Sequence, residues 1–197
     1  MKKFAESAER NCESIWENLG PLLPESGLVL EIASGTGQHV VHYAERTPEL
    51  TWQPTDVEPE NITSIAHYVA EAELKNVRTP LLLDVTSNEW PVKSADVVVC
   101  INMIHIAPWK ATRGLFRGAA RVLGKGGLLF LYGPYLVEGR ETEPSNLEFD
   151  ADLKSRDASW GLRKLEDVGE VGEKQGLELV AHIDTPKNNL SVIFRRT

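Results

Sequence analysis

The chain has 197 residues, enough for one sizeable hydrophobic core, so we expect a single domain over residues 1–197. Its formal net charge of −8 disfavours a broad interface with duplex nucleic acid or with an anionic membrane surface. Cys12 and Cys100 are the two cysteines, too few for a disulfide framework. The first residues carry no apolar signal segment, and no apolar run approaches the ~20 residues that span a bilayer. We therefore expect a cytoplasmic protein with no nucleic-acid or membrane partner.

The apolar pattern predicts alternating helices and strands along the chain. Helical spacing predicts helices over residues 4–19, 38–46, 59–70, 108–123 and 165–175. Nearly continuous apolar runs predict strands over 28–33, 51–55, 79–83, 95–101 and 128–132, with closing strands over 178–184 and 190–196. This alternation predicts an α/β fold, a Rossmann-like, doubly wound, mostly parallel sheet of seven strands with helices on both faces. The short link at 185–189 fits a hairpin, so the last strand is expected to be antiparallel.

Two segments stand apart from this alternation. Residues 1–20 form the predicted N-terminal helix, which precedes the first strand. Residues 133–163 are long and polar, and a long loop in a compact domain is more often functional than idle. We therefore predict that 133–163 is a lid or substrate insertion between the fifth and sixth strands.

The turn after the first strand has the composition of a nucleotide-binding loop. Gly35 and Gly37 have no Cβ, which lets a ligand approach the backbone, and the helix that follows presents unpaired N–H groups. Asp56 follows the second strand, where a carboxylate can accept two hydrogen bonds from a ribose. Val40 occupies the position of the third glycine of a GxGxxG motif, which disfavours a nicotinamide dehydrogenase. The alternative without a ligand is that the glycines only shape a tight turn.

Polar residues also follow the later strands, and in a parallel sheet all of these lie at one edge. Asp84 could accept a hydrogen bond from an adenine amino group or could cap a turn. His105 is the best-placed general base, or else a histidine packed under its loop. Tyr132 and Tyr135 could hydrogen-bond an acceptor, although packing is favoured for each residue alone.

Several motifs together resemble one group of proteins. The segment Glu31-Ile32-Ala33-Ser34-Gly35-Thr36-Gly37 resembles motif I of class I S-adenosylmethionine-dependent methyltransferases. Further segments resemble the methyltransferase-like 26 group, long catalogued as a domain of unknown function, and they are Trp52–Asp56, Asn102–Ile106, Tyr132–Tyr135, Ser145–Asp150 and Trp160–Arg163. The resemblance covers nearly the whole chain. It implies S-adenosylmethionine as cofactor but no particular methyl acceptor.

The resemblance also implies a role for residues of each strand-end segment. The glycines would face the methionine part of the cofactor, Asp56 the ribose, and Asp84 with Val85 the adenine. Ala33-Ser34 departs from the pattern, because many class I enzymes have another glycine there. The predicted cofactor-binding residues are Glu31, Ala33, Gly35, Gly37, Gln38, Asp56, Asp84, Val85, Asn102 and Met103.

The remaining predictions concern the acceptor. His105 and Tyr135 are the predicted catalytic residues, and the acidic chain favours a small-molecule acceptor. The predicted acceptor-binding residues are Arg10, Asn11, Asn146, Trp160 and Arg163. The histidines share no metal-ligand spacing with carboxylates or cysteines, so we predict no metal site. A non-catalytic cofactor-binding or protein-interaction module is the alternative to an enzyme, and homo-oligomerisation remains open.

Overall fold

The computed structural model describes the whole chain, residues 1–197. The helices are α1 (Glu6–Leu19), α2 (Gln38–Ala44), α3 (Pro59–Glu71), α4 (Trp109–Val122), α5 (Pro144–Arg156) and α6 (Leu165–Glu173). The strands are β1 (Gly27–Ile32), β2 (Leu50–Asp56), β3 (Leu81–Leu82), β4 (Ala95–Ile101), β5 (Leu123–Gly133), β6 (Tyr135–Leu136), β7 (Arg163–Lys164), β8 (Leu177–Thr185) and β9 (Asn189–Arg196). None of the helices is long and apolar enough to cross a membrane.

Seven strands form the central sheet, in the order β3-β2-β1-β4-β5-β9-β8. The strands β1 to β5 pair in parallel, whereas β9 runs antiparallel to both of its neighbours, β5 and β8. The predicted sheet, mostly parallel with an antiparallel last strand, is confirmed. Strands β6 and β7 form a separate parallel pair. The chain order reverses between β1 and β4, and doubly wound sheets bind ligands beside that point, at the carboxyl ends of the strands.

Helices cover both faces of the sheet, which explains why its strands are apolar along most of their length. Successive residues of β1 enter different cores. Leu30 packs in the core under α4 and α6, with Phe116. Val29 packs in the core under α1, α2 and α3, with Tyr43. Truncating a fully buried side chain of this kind to alanine costs about 2–5 kcal/mol, so the two cores hold the strand ends in fixed positions.

Strand β3 is shorter than the sequence pattern predicts. It was expected over residues 79–83 but comprises only Leu81–Leu82, at the edge of the sheet. Pro80 precedes it and has no N–H to donate to a sheet ladder, which explains the late start. The residues that follow turn at once into the cavity described below.

The segment 133–163 is more ordered than the predicted polar loop. It contains β6 and the helix α5, and it ends where β7 begins. Hydrophobic periodicity does not reveal α5, because Asn146 and Leu153 are its only buried residues. Two other signals mark this helix. Pro144 suits its first position. The pairs Asp150–Lys154 and Asp152–Arg156 form ion pairs one turn apart, with N–O distances of 2.5 and 3.8 Å.

Candidate cofactor and acceptor site

A cavity of about 420 Å³ opens at the carboxyl edge of the sheet, beside the point where the chain order reverses. Its walls come from the segments that follow β1, β2, β3 and β4. Six of the ten predicted cofactor residues line it, and they are Ala33, Gly35, Asp56, Asp84, Val85 and Met103. The other predicted cofactor residues are Glu31, Gly37, Gln38 and Asn102, which belong to the same strand-end segments but do not line the cavity.

The loop after β1 adopts a left-handed backbone at three positions. The φ angles are 55° at Ala33, 58° at Gly35 and 96° at Gly37. Alanine adopts this conformation at a cost of roughly 1–2 kcal/mol, so the backbone of Ala33 is strained where a glycine would not be. A Cβ on Gly37 would lie 2.8 Å from Cα of Ile65, whereas a Cβ on Gly35 would meet nothing nearer than 4.0 Å. Gly37 thus allows the loop to pack against α3, and Gly35 leaves room in the cavity.

Asp56 joins the loop after β1 to the start of α3. Its Oδ2 accepts a hydrogen bond from the backbone N–H of Gly35 at 2.8 Å. Its Oδ1 accepts from the backbone N–H of Glu58 at 2.9 Å and from Nδ2 of Asn61 at 3.1 Å. The residue is 4% exposed and lines the cavity. A carboxylate has about four acceptor positions, so these bonds leave capacity for a ligand hydroxyl.

Glu31 is a buried carboxylate that lacks a full set of partners. It is 1% exposed, and no group of the protein bonds its Oε2. Burial raises the pKa of Glu31 to about 7, and the charge of Asp56 acts in the same direction, against a bond to Ser34 that lowers it. An unpaired carboxylate at this depth is costly, so Glu31 is poised for a cationic or hydrogen-bond-donating partner.

Contacts from the N-terminal segment hold the helix α2 that follows the loop. Oε1 of Gln38 accepts hydrogen bonds from the backbone N–H of Ala5 at 2.7 Å and from Oγ1 of Thr36 at 3.0 Å. Oδ1 of Asn11 lies 2.8 Å from Nε2 of His39. Arg10 is exposed and pairs with a carboxylate one turn away. Neither Arg10 nor Asn11 lines the cavity, and their contacts are with the protein itself.

The segment after β3 is held against α4 in a way that the sequence analysis missed. Oδ1 of Asp84 accepts from both the backbone N–H and the hydroxyl of Thr86, each at 2.8 Å, so Asp84 caps a turn and also lines the cavity. A Cβ on Gly114 would lie 2.4 Å from the carbonyl oxygen of Val85, and a Cβ on Gly118 would overlap the ring of Trp90. Two glycines four residues apart in a helix were the available signal of this close approach.

The segment after β4 places His105 in the interior. Asn102 has a left-handed backbone with a φ of 63°, and its N–H donates to the carbonyl of Tyr132 at 2.7 Å. His105 is 0% exposed, and neither of its ring nitrogens has a partner. Burial lowers the pKa of His105 to about 3, helped by the nearby charge of Arg163. The imidazole is therefore neutral near pH 7, and it packs edge-on against the ring of Tyr135, with centroids 4.9 Å apart. This placement favours the packed alternative over the general base.

The three acceptor residues predicted in the segment 133–163 lie in different places. Trp160 lines the cavity, with the guanidinium of Arg156 5.2 Å from its ring centroid. Arg163 donates to the carbonyl oxygens of Ile104, Ala107 and Ser159 at 2.7–2.9 Å, which uses three of its five N–H donors. Asn146 is buried and donates to the carbonyl of Asn188 at 3.0 Å, beside a second cavity. No group of three or more histidine, cysteine, aspartate or glutamate residues in the chain is arranged to hold a metal ion.

The sheet order and helical layers are those of the class I S-adenosylmethionine-dependent methyltransferase fold, as comparison with solved structures shows. A family model described as "Protein of unknown function (DUF938)" matches residues 2–196, and the chain belongs to this family. The predicted resemblance is therefore confirmed at the level of the fold.

Three solved structures illustrate the similarity. An O-methyltransferase family protein from Burkholderia thailandensis has a TM-score of 0.82 and 18% identity, over 97% of this chain and 56% of that one. An O-methyltransferase family 2 protein from Planctomyces limnophilus, in complex with apigenin, has a TM-score of 0.80 and 17% identity, over 97% and 60%. CalO1, a methyltransferase of calicheamicin biosynthesis in its SAH-bound form, has a TM-score of 0.77 and 18% identity, over 97% and 54%. The chain spans little more than half the length of these structures.

Proposed function

We propose that this chain transfers a methyl group from S-adenosylmethionine to a small-molecule acceptor. The observation that carries the proposal is the cavity beside β1 and β4, which the glycine loop, Asp56, and the segments after β3 and β4 line together. Bound S-adenosylmethionine would supply a methyl group on a sulfonium, which is already a good leaving group. The methyl carbon would leave sulfur for a lone pair of the acceptor, and the sulfur would keep the bonding electrons.

The residues present fit this cofactor. Asp56 retains acceptor capacity for ribose hydroxyls, as its position after the second strand requires. Val85 and Met103 give the cavity apolar surface of the kind that an adenine ring covers, and Asp84 stands beside them. Gly35 leaves open space where a side chain would stand. The unpartnered Oε2 of Glu31 offers a bond to the ammonium group of the methionine part. Gly37, Gln38 and Asn102 would act by holding these segments in place.

The protein's main contribution would be alignment of the acceptor with the methyl group, since a sulfonium needs little chemical activation. A base is required only when the acceptor must lose a proton. His105 suits that role poorly, because its pKa of about 3 keeps it a weak base in a closed environment. We assign His105 and Tyr135 to the acceptor end of the site, as neutral groups that shape it.

A small-molecule acceptor agrees with the site and with its neighbours. Trp160 stands at the cavity and would cover a ligand from the segment 133–163, which supports the proposed lid. The Planctomyces limnophilus structure contains apigenin, a small molecule. Arg163 is occupied by carbonyl groups, so we propose that it fixes the segment after β4 and contacts an acceptor only through the remaining Nη1.

Formation of S-adenosylhomocysteine from S-adenosylmethionine in the presence of a metabolite extract tests the proposal. We expect protein-dependent turnover, reduced at least tenfold in Asp56→Asn, because the amide cannot accept all of the bonds that the carboxylate makes. Glu60→Gln, an exposed change on α3, is the matched control and should retain full turnover. Absence of turnover with extracts of varied origin, by a protein that still binds S-adenosylhomocysteine, would favour a non-catalytic module.

A further inference from the structure

Polar atoms without partners are concentrated on one pair of side chains. Nine buried side-chain nitrogen or oxygen atoms form no hydrogen bond in the protein, and three of these belong to His105 and Tyr135. Tyr135 is 5% exposed, and its hydroxyl is one of the three. Buried polar groups are normally satisfied, so a cluster of unsatisfied ones at the ligand edge of a sheet indicates a missing partner.

A second cavity, of about 260 Å³, adjoins this pair. Tyr135, Val137 and Leu190 give it an apolar floor, and Asn146 and Asn188 line it. It is built from β6, the start of α5 and the turn between β8 and β9. Residues of the segments 137–143 and 184–190 line it, and Leu190 pairs with Gly133 at the carboxyl end of β5, so it lies at the same sheet edge as the cofactor cavity.

The two cavities border nearby strands at the same edge of the sheet. Ile101, at the end of β4, lines the cofactor cavity, and Leu190, at the start of β9, lines the second cavity. Strand β5 lies between β4 and β9, so the cavities border strands two spacings apart, about 10 Å. Tyr135 lines the second cavity, and the ring of His105 packs against it beside Gly133 at the end of β5, a place that we call the junction. A Cβ on Gly133 would lie 2.5 Å from Nε2 of His105. The glycine is what allows the imidazole to sit at this junction.

The charges around the second cavity are mainly negative. Glu141, Glu143 and Asp184 line it, against a single cation, Arg140. Arg140 is paired with Asp184, with 2.6 Å between Nη1 and Oδ1. Neither Glu141 nor Glu143 forms an ion pair. Lys187 lies in the adjoining turn but does not line the cavity. The cavity therefore presents two uncompensated carboxylates to whatever enters it.

We infer that the second cavity binds the methyl acceptor, and that the acceptor is a small molecule anchored by a cationic group such as an amine or a guanidine. Glu141 and Glu143 bind the cationic group at the rim. The apolar floor covers the body of the molecule, and its attacking atom, which is separate from the cationic group, reaches the junction at His105 and Tyr135. This inference rests on the proposed methyl transfer and adds the class of acceptor.

The test uses S-adenosylmethionine with a trideuterated methyl group, incubated with the full-length protein and a metabolite extract. Capillary electrophoresis at neutral pH with mass detection then separates the labelled products by charge. We expect the main labelled product to migrate as a cation. At the same extract concentration, the double variant Glu141→Gln/Glu143→Gln should form this product at least fivefold more slowly than the parent protein. The matched control, Glu49→Gln/Glu173→Gln, changes the net charge equally at exposed positions outside the segment 133–163 and away from the cavity, and it should be unaffected.

The outcomes separate this inference from the proposed function. A labelled product that migrates as an anion or a neutral molecule, or equal rates in the two double variants, would overturn the cationic acceptor and leave methyl transfer standing. No labelled product at all, from a protein that binds S-adenosylhomocysteine, would overturn the proposed function together with the inference. Circular dichroism of both double variants confirms that a lost rate does not reflect unfolding.

Discussion

Oδ2 of Asp56 accepts a hydrogen bond from the backbone N–H of Gly35 at 2.8 Å, which fastens the loop after β1 to the end of β2. The same carboxylate caps the start of α3 through Glu58 and Asn61. One side chain therefore sets the relative position of the three segments that form this end of the cavity.

Alanine substitutions at Gly35 and Gly37 should affect stability and cofactor binding differently. Gly37→Ala introduces a Cβ 2.8 Å from Cα of Ile65 at a φ of 96°, so it should destabilise the fold by about 2–4 kcal/mol. Gly35→Ala adds strain but no contact, so it should cost about 1 kcal/mol and weaken cofactor binding by filling the cavity. Urea denaturation with titration of S-adenosylhomocysteine measures both effects. Equal stability of the two variants would contradict this account of the loop.

Glu31→Gln should raise the stability of the protein and weaken its binding of the cofactor. Burial raises the pKa of Glu31 from 4.5 to about 7, so its favourable protonated state is fully present below pH 4.5 and is lost as the pH rises through 7. The neutral amide avoids this loss, so the variant should gain about 1–3 kcal/mol relative to the parent between pH 5 and pH 8. It should also bind S-adenosylhomocysteine at least tenfold more weakly at pH 8. A stability difference that does not change with pH would refute the assignment.

Acid should unfold the protein through its buried histidines. Burial lowers the pKa of His105 to about 3 and that of His39 to about 4, from 6.5. Their contribution to stability is complete above pH 6.5 and is lost as the pH falls toward those values, with a slope of up to about 1.4 kcal/mol per pH unit for each histidine. His105→Phe should flatten the decline, because phenylalanine does not titrate, and neither ring nitrogen forms a bond that the change would remove. Unfolding curves between pH 7 and pH 4 supply the measurement, and an unchanged slope would count against it.

The helix α4 should control the adenine end of the cavity. Gly114→Ala places a Cβ 2.4 Å from the carbonyl oxygen of Val85, so the segment after β3 must move and affinity for S-adenosylhomocysteine should fall about tenfold. Gly169→Ala is the matched control in α6, because its Cβ would meet only a side-chain methyl group at 3.8 Å. That change should stabilise the fold by about 0.5–1 kcal/mol and leave affinity unchanged. Equal affinities of the two variants would contradict a positioning role for α4.

The sequence was sufficient for the fold because the central strands β1, β2, β4, β5 and β9 are buried along most of their length and the helices that cover them, α1 to α4 and α6, place their apolar residues against the sheet. The carboxyl ends of parallel strands share one edge, so the positions of Gly35, Asp56, Asp84 and Met103 around one cavity could be predicted as well. The helix α5 could not be predicted from apolar periodicity, because charged pairs along its surface support it.

The acceptor end was less predictable for a different reason. The roles of Arg163 and His105 depend on what surrounds each side chain, and neither carbonyl partners nor burial can be read from residue type. The sequence predicts that Arg163 contacts an acceptor, whereas the side chain bonds three carbonyl groups. For His105 the sequence leaves a general base and a histidine packed under its loop as alternatives, and the residue is fully buried. The second cavity joins residues 135–146 to 184–190, and no local pattern connects those segments.

Calorimetric titration of the protein with S-adenosylhomocysteine tests the central claim most directly. We predict binding at one site with a dissociation constant in the micromolar range, at least tenfold weaker binding in Asp56→Asn, unchanged binding in Glu60→Gln, and no competition from NAD. Absence of binding at millimolar S-adenosylhomocysteine, equal affinity in Asp56→Asn, or tight binding of NAD instead would contradict the claim that this cavity holds S-adenosylmethionine.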